Sequence, residues 1–359
     1  MARHRQGHRP AARVAPPVDA PHDAVLATRL FELINAAWTT RAIAVAAELR
    51  LAEALHDGPR DAASLAQAAG CDADALHRLL RGLCSIGLCD EHDDGRFAIT
   101  PFGELLAEDA PQSLRSWALQ FGRQLWPAWA GLDASVRTGK GLRERTGLAH
   151  GFAHLERDAD AAVVFNRAMV EITRIVAADA VRKVELPHDA GMLVDVGGGH
   201  GELLAAFLHR WPAARGVSLD LAHAQPGALQ HFAAHGFSQR ASFIVGDFFA
   251  EVPAADVLLM KAILHDWDDA RCALILRNCR RALRVGGRLL VIDRVLPARL
   301  RDEPRHRSLA RSDLTMLVGV GGRERTEAQF CKLFGGSGFA IASIQPLALD
   351  LSLLDCRPV

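Results

Sequence analysis

Five short apolar runs between Gly191 and Asp293 alternate with stretches of helical period, and this alternation restricts the fold more than any other feature of the chain. The runs are Met192–Asp195, Gly216–Asp220, Ala241–Val245, Asp256–Met260 and Arg288–Asp293. Strands joined through helices pair in parallel, and a parallel strand covered on both faces is apolar along its whole length. The expectation for residues 187–359 is therefore an α/β domain with a Rossmann-like, mainly parallel sheet covered by helices. The last two apolar runs, Phe339–Ile344 and Leu349–Leu354, have no helical stretch between them and predict a C-terminal antiparallel hairpin closing the sheet.

The chain before this domain is helical in pattern. Leu26, Leu30, Leu33, Ile34, Ala37, Ile43, Ala47, Leu51 and Leu55 recur every three or four positions, which predicts two amphipathic helices. A short helix ending at Gly70, a second from Ala73 to Ile86, and a polar turn leading into alternating residues up to Thr100 outline a helix-turn-helix with a wing. Residues 22–110 thus read as a winged-helix-like domain, and 111–186 as a helical linker ending in a long helix from Ala159 to Val184. Residues 1–21, rich in Arg, His, Pro and Ala, lack the apolar segment of a signal peptide and read as a disordered tail.

A winged helix raises the question of nucleic acid, and the charge balance answers it. Lys+Arg and Asp+Glu cancel at 42 each, and the helix in the recognition position carries only His77, Arg78 and Arg81. That is too little charge for phosphate engagement, so a dimer interface is expected instead of a DNA-binding regulator. No apolar run reaches the roughly 18 residues of a membrane span, so no membrane partner is expected. The seven cysteines form no C-x-x-C pair, which suits a reducing cytoplasm.

The first strand runs into Asp195-Val-Gly-Gly-Gly-His-Gly201 and a helix opening at Glu202, the place where ligands sit in open α/β sheets. A G-x-G-x-x-G reading fails in either register, since its third position falls on Glu202 or Leu204. Two carboxylates, Asp195 and Glu202, would also repel a pyrophosphate at this helix start. S-adenosylmethionine has no phosphate and carries an ammonium and a sulfonium, so acidic groups favour it as cofactor. Asp220, at the end of the second strand, is placed to accept from ribose hydroxyls. Asp247 and Phe248, after the third strand, offer a carboxylate and an aromatic face to an adenine.

Leu193-Val-Asp-Val-Gly-Gly-Gly-His-Gly201, Gly246-Asp-Phe-Phe249, Leu264-His-Asp-Trp-Asp-Asp269 and Gly321-Gly-Arg-Glu-Arg-Thr326 together resemble the caffeic-acid-type small-molecule O-methyltransferases and their bacterial natural-product branch. The resemblance covers nearly the whole chain after residue 25. It implies an N-terminal winged-helix dimerisation domain, a homodimer, and methylation of a hydroxyl on an aromatic or polycyclic small molecule. His265 would be the general base, flanked by Glu324 and by Asp293, where the family carries the longer glutamate. Asp266 would be a neighbouring structural or cofactor-side residue. With the loop reading, the cofactor set becomes Asp195, Gly197, Gly199, Gly201, Asp220, Leu221, Asp247, Phe248, Lys261 and Thr173.

The chemistry asks for these residue types independently. An imidazole with an ordinary pKa of about 6.5 accepts a proton near neutrality, and a carboxylate behind it orients the ring and stabilises the cation formed. Val164-Phe-Asn-Arg-Ala-Met-Val-Glu-Ile-Thr173 resembles the family's substrate-lining helix, which implies Phe165, Asn166, Met169 and Ile172 in the acceptor pocket, with Ala262 and Met316. Ile172 and Ala262 stand where the family often has His and Trp, pointing to an apolar, enlarged pocket. Two further readings remain open on sequence. One is a metal held by His265, Asp266 and His306, although no metal motif is matched and none is expected. The other is a methyltransferase-fold enzyme that catalyses a different reaction.

Overall fold

The computed structural model describes residues 20–147, 152, 155, 157–187 and 191–359. The N-terminal region opens with helices α1 (Ala20–Asn35), α2 (Ala37–Glu48) and the single turn α3 (Leu51–Ala54). Three helices thus stand where two were expected, because Arg50 takes a left-handed φ of 54° and breaks the run. α1 begins inside the stretch read as a tail, and residues 1–19 lie outside the described residues.

Helices α4 (Ala62–Ala69) and α5 (Ala73–Ser85) start where aspartates cap them: Asp61 accepts from the Ser64 amide and Asp72 from the Ala75 amide, each at 2.8 Å. Gly70 ends α4 in the left-handed conformation that a side chain would disfavour. Strands β1 (Cys89–Glu91) and β2 (Phe97–Ile99) pair antiparallel as the wing. Leu51, Leu55, Leu65, Leu76, Leu80, Leu83 and Phe97 form the core of this region. On α5, His77 and Arg81 lie against Glu91 of the wing at 4.0 and 3.4 Å, which cancels part of the small positive charge there.

Short helices α6 (Arg115–Leu119), α7 (Leu125–Ala130), α8 (Leu132–Thr138) and α9 (Leu142–Arg145) lead to the long helix α10 (Ala159–Lys183). Buried Glu171 of α10 accepts from the backbone amides of Ser116 and Trp117 at 2.8 and 2.9 Å, satisfying two donors that the start of α6 leaves open. Arg50 and Arg167 both pair with Glu108, tying the N-terminal region to α10.

The sheet domain follows: β3 (Met192–Val196), α11 (Glu202–Arg210), β4 (Arg215–Asp220), α12 (Gln225–Ala234), β5 (Ala241–Val245), β6 (Ala255–Lys261), α13 (Asp269–Ala282), β7 (Leu283–Asp293), β8 (Val295–Leu296), α14 (Pro304–Val318), β9 (Arg325–Thr326), α15 (Glu327–Gly335), β10 (Phe339–Pro346) and β11 (Ser352–Pro358). Seven strands are ordered β10-β11-β7-β6-β3-β4-β5, parallel from β7 to β5 and antiparallel at the β10–β11 hairpin. The second hairpin strand starts at Ser352 instead of Leu349, because Leu349 and Asp350 adopt left-handed φ values of 57° and 59°. One core packs α10, α11 and α12 on the sheet, and a second packs α13 and α15 on the opposite face. A separate parallel pair, β8 with β9, brings Glu324 alongside the end of β7.

Candidate active site

At the carboxyl ends of the parallel strands lies a cavity of about 460 Å³. Its floor is the glycine loop between β3 and α11. Gly197, Gly199 and Gly201 have φ values of 69°, 53° and 77°, a conformation that only glycine takes without strain. A Cβ on Gly197 would stand 2.4 Å from Ile263, and one on Gly201 would stand 2.4 Å from the Phe232 ring. Gly197 and Gly199 form the cavity wall, whereas Gly201 is a packing and turn residue beneath it, since its missing Cβ is what lets α12 approach.

Asp220 holds the loop from the side: its Oδ2 accepts from the Gly199 amide at 2.7 Å and its Oδ1 from the Leu221 amide at 2.6 Å. Asp195 lies buried under Gly198, and its Oδ2 has no hydrogen-bond partner among the described residues. Burial, with the Asp220 charge added and Lys261 opposing, pushes the Asp195 carboxyl up to about 7. Burial and Arg294 push Lys261 down to about 8, against the pull of Asp195, Asp293 and Asp266. A buried, under-satisfied carboxyl beside a glycine cradle suits a ligand with cationic groups and fits poorly with a phosphate.

Leu221, Asp247, Phe248, Lys261 and Thr173 also reach the cavity. Asp247 additionally caps its own turn, accepting from the Phe249 amide at 2.8 Å, so part of its hydrogen-bonding capacity is spent locally. Thr173 donates to the Met169 carbonyl at 2.5 Å. Phe248 and Phe249 pack on Trp267 with ring centroids 6.3 and 4.8 Å away, forming an aromatic wall that sequence reasoning had found only in part. His200 and His223 were missed as well. His200 sits inside the loop motif itself, and burial, with His231 and His223 adding, pushes it down to about 4, so it lines the cavity as a neutral ring. His223 Nδ1 lies 3.4 Å from the Asn166 amide nitrogen.

Of the acceptor-side residues, Phe165, Asn166, Met169 and Ala262 line the cavity. Ala262 does so with a left-handed φ of 55°, its amide donating to the Ile292 carbonyl at 2.9 Å. Strain of this kind concentrates at functional sites. Ile172 and Met316 are not in the wall. Ile172 packs into the core with Val176, Ala180 and Leu203, because it lies on the sheet-facing side of α10.

His265, in a one-turn 3₁₀ segment after β6, is the centre of an acid–base cluster immediately behind the cavity wall. Its Nδ1 is 3.1 Å from Glu324 Oε1 and 3.3 Å from Asp293 Oδ1, so the shorter aspartate does reach the ring. The other nitrogen, Nε2, is 3.7 Å from Oδ1 of Asp266, which itself lines the cavity. Burial alone would disfavour the charged ring, but Asp293, Glu324 and Asp266 outweigh it and push the imidazole up to about 10. Asp266 is pushed up to about 6 by burial, with His265 and Arg143 opposing. Arg325 anchors the segment from below, donating to the Leu264 and Trp267 carbonyls at 2.7 Å each. His306 is engaged elsewhere: its Nδ1 accepts from the Arg301 amide at 2.9 Å and its Nε2 is 3.9 Å from Glu303.

Comparison with known proteins places this geometry. Residues 129–340 match the model of an O-methyltransferase domain and residues 31–109 that of an O-methyltransferase dimerisation domain. The chain is 38% identical to the phenazine O-methyltransferase of Lysobacter antibioticus, over 93% of this chain and 97% of that one. It is 36% identical to the mitomycin biosynthesis 6-O-methyltransferase of Streptomyces lavendulae, over 88% and 89% of the two chains. An O-methyltransferase of neocarzinostatin biosynthesis, solved with S-adenosylmethionine and 2-hydroxy-5-methyl naphthoic acid, superposes with a TM-score of 0.75 at 33% identity, covering 89% of this chain and 96% of that one.

Proposed function

The chain belongs to the S-adenosylmethionine-dependent O-methyltransferases, and from that premise we propose that it methylates a phenolic hydroxyl of an aromatic or polycyclic natural product, with His265 as general base. The observation that carries this reading is the buried contact of His265 Nδ1 with Glu324 and Asp293, which leaves Nε2 on the side of Asp266 and the cavity. When bound, S-adenosylmethionine supplies a methyl carbon already activated by the sulfonium. The protein's task is then to place the acceptor oxygen and to remove its proton.

Asp195, Gly197, Gly199, Asp220 and Lys261 would hold the cofactor, with Phe248 against the adenine. Phe165 and Met169, four apart on α10, clasp the acceptor ring. Nε2 of His265 accepts the hydroxyl proton, and Glu324 and Asp293 stabilise the resulting imidazolium. The carboxylates raise the proton affinity of the ring above that of a free imidazole and so bring it closer to that of a phenol, whose ordinary pKa is about 10.

The working form is a homodimer. On α1 and the start of α2, Val25, Leu26, Leu30, Phe31, Leu33, Ile34 and Trp38 are exposed, and Phe31 and Ile34 show 68% and 69% of their surface. An apolar face of this extent needs a partner, and a second copy within the dimerisation segment supplies it. No described helix is long and apolar enough to cross a membrane. Seven free thiols favour the cytoplasm as the working compartment.

The test is incubation with methyl-labelled S-adenosylmethionine and a panel of phenols and polycyclic hydroxy compounds. Wild type yields labelled ether, and His265→Ala loses about 100-fold or more, the usual scale of general-base removal. Equal turnover by the two proteins removes His265 from the chemistry. Consumption of substrate without a labelled product removes methyl transfer.

A further inference from the structure

Two buried carboxylates compete for one imidazole nitrogen, yet their surroundings differ. Oε1 of Glu324 receives His265 Nδ1 at 3.1 Å and also the Ser312 hydroxyl at 2.6 Å, with the Arg294 guanidinium 3.9 Å away. Oδ1 of Asp293 is 3.3 Å from the same nitrogen and accepts from the Arg294 amide at 3.1 Å. The second oxygens, Glu324 Oε2 and Asp293 Oδ2, are buried and have no partner among the described residues. Two adjacent anions with bare oxygens in a site closed to water are unstable, so the pair retains a proton through much of the acid range. The remaining question is which of the two carries it.

We propose that Ser312 is a positioning residue that decides this, holding Glu324 as the anion that receives the His265 N–H and leaving the shared proton on Asp293. A hydroxyl donating to a carboxylate stabilises only its ionised form. Ser312 reaches Glu324 because α14 presents it to the chain just before β9, while the neighbouring Asp313 fixes that chain by accepting the Glu324 amide at 2.9 Å. Among the described residues no hydroxyl donates to Asp293. The charges around the cluster agree in direction: Glu324 lies below the usual carboxylate range, with burial outweighed by His265, Ser312 and Arg294, whereas burial and Glu324 raise Asp293. The other ionisable groups facing the cluster are Asp266 on the Nε2 side, Asp313 and Arg294 beside Glu324, and Lys261, which acts on Asp293 through space.

This inference rests on His265 as the base. When the acceptor hydroxyl loses its proton to Nε2, the N–H on Nδ1 stays hydrogen-bonded to anionic Glu324; in the acid range Asp293 keeps its proton through this step, and above that range both carboxylates are anions that hold the imidazolium. Ser312 touches neither acceptor nor cofactor and acts only through Glu324.

The experiment is the pH profile of kcat/KM for wild type, Ser312→Ala, Ser312→Thr, Glu324→Gln, Asp293→Asn, the Ser312→Ala/Glu324→Gln double variant, and His265→Ala. Ser312→Ala moves the acid limb, where the carboxyl pair takes up its last proton, to higher pH by about one unit, with an unchanged cofactor Kd. Ser312→Thr, which keeps the hydroxyl, restores the wild-type limb and shows that the helix tolerates a change at this position. In the Glu324→Gln background Ser312→Ala causes no further loss, and Glu324→Gln alone costs at least about tenfold more than Asp293→Asn. An unmoved acid limb in a folded Ser312→Ala protein overturns the proposal, as does an undiminished Ser312→Ala effect without Glu324. Full activity of His265→Ala overturns the reading beneath it, and that result is separate because it is scored on a different variant.

Discussion

The cofactor cradle in the cavity and the acid–base cluster behind its wall are built in opposite ways. The cofactor end is backbone: three left-handed glycines, amides given to Asp220, and a strand-to-helix turn within seven consecutive residues. The proton-accepting end is side chain: His265, Asp293 and Glu324 come from three separate segments and meet only because β6, β7 and the β8–β9 pair bring them together. The first holds a ligand by shape and a fixed turn, while the second sets the protonation of one nitrogen. Damage at the two ends should therefore appear in different constants.

The largest expected effect sharpens that separation. His265→Ala lowers kcat by about 100-fold or more while the cofactor Kd, measured by calorimetry, stays at the wild-type value. Gly197→Ala is the mirror case. Its Cβ would stand 2.4 Å from Ile263 at a φ of 69°, and strain of about 1–3 kcal/mol falls on the cofactor cradle. Cofactor Kd then rises roughly tenfold to a hundredfold, with a smaller change in kcat at saturation. If both substitutions moved both constants equally, the two ends would be one mechanical unit and the comparison would fail.

The second effect is on pH. A base works in its neutral form, and His265, held protonated by its carboxylates up to about 10, presents that form only as the pH rises. The sign is therefore upward: kcat/KM climbs through the alkaline range above pH 7, approaching tenfold per unit, instead of levelling near the ordinary histidine value of about 6.5. Glu324→Gln removes one of the charges that raise the ring and moves this limb back toward neutrality. A profile flat above pH 7 in the wild type would mean that the carboxylates orient the ring without charging it.

The same contrast explains what could be read from the amino acids. Strand alternation and the glycine loop are local patterns, and the sheet, the hairpin and Gly197, Gly199, Asp195 and Asp220 stand where periodicity and turn chemistry put them. The histidine cluster has no local signature, and its members were identifiable only through the family resemblance. Ile172 was misplaced for a definite reason. On α10, Phe165, Met169 and Thr173 follow one another at four-residue steps along the cavity face, while Ile172, Val176 and Ala180 follow at the same step along the core face. One helical period cannot tell which apolar stripe meets the ligand. Ser312 was invisible for a related reason, since a serine within an Arg-rich helix gains meaning only when packing turns it toward Glu324.

The smallest expected effect tests the cofactor end by its charge. Asp195 is buried, carries an unpartnered oxygen and sits at about 7, so near neutrality the free protein holds it partly protonated. A cationic ligand prefers the anion, so binding below pH 7 must release a proton, whereas above it none is released. The sign follows directly: cofactor affinity rises with pH up to about 7, by no more than tenfold per unit, and then levels. Calorimetry in buffers of different ionisation enthalpy reads the released proton directly. Asp195→Asn, which preserves the shape without the charge, binds more weakly at pH 8 and loses the pH dependence. If Asp195→Asn binds with the wild-type pH dependence, the titrating group lies elsewhere, and Asp220, the other acid whose pKa is raised at this end, becomes the group to change next.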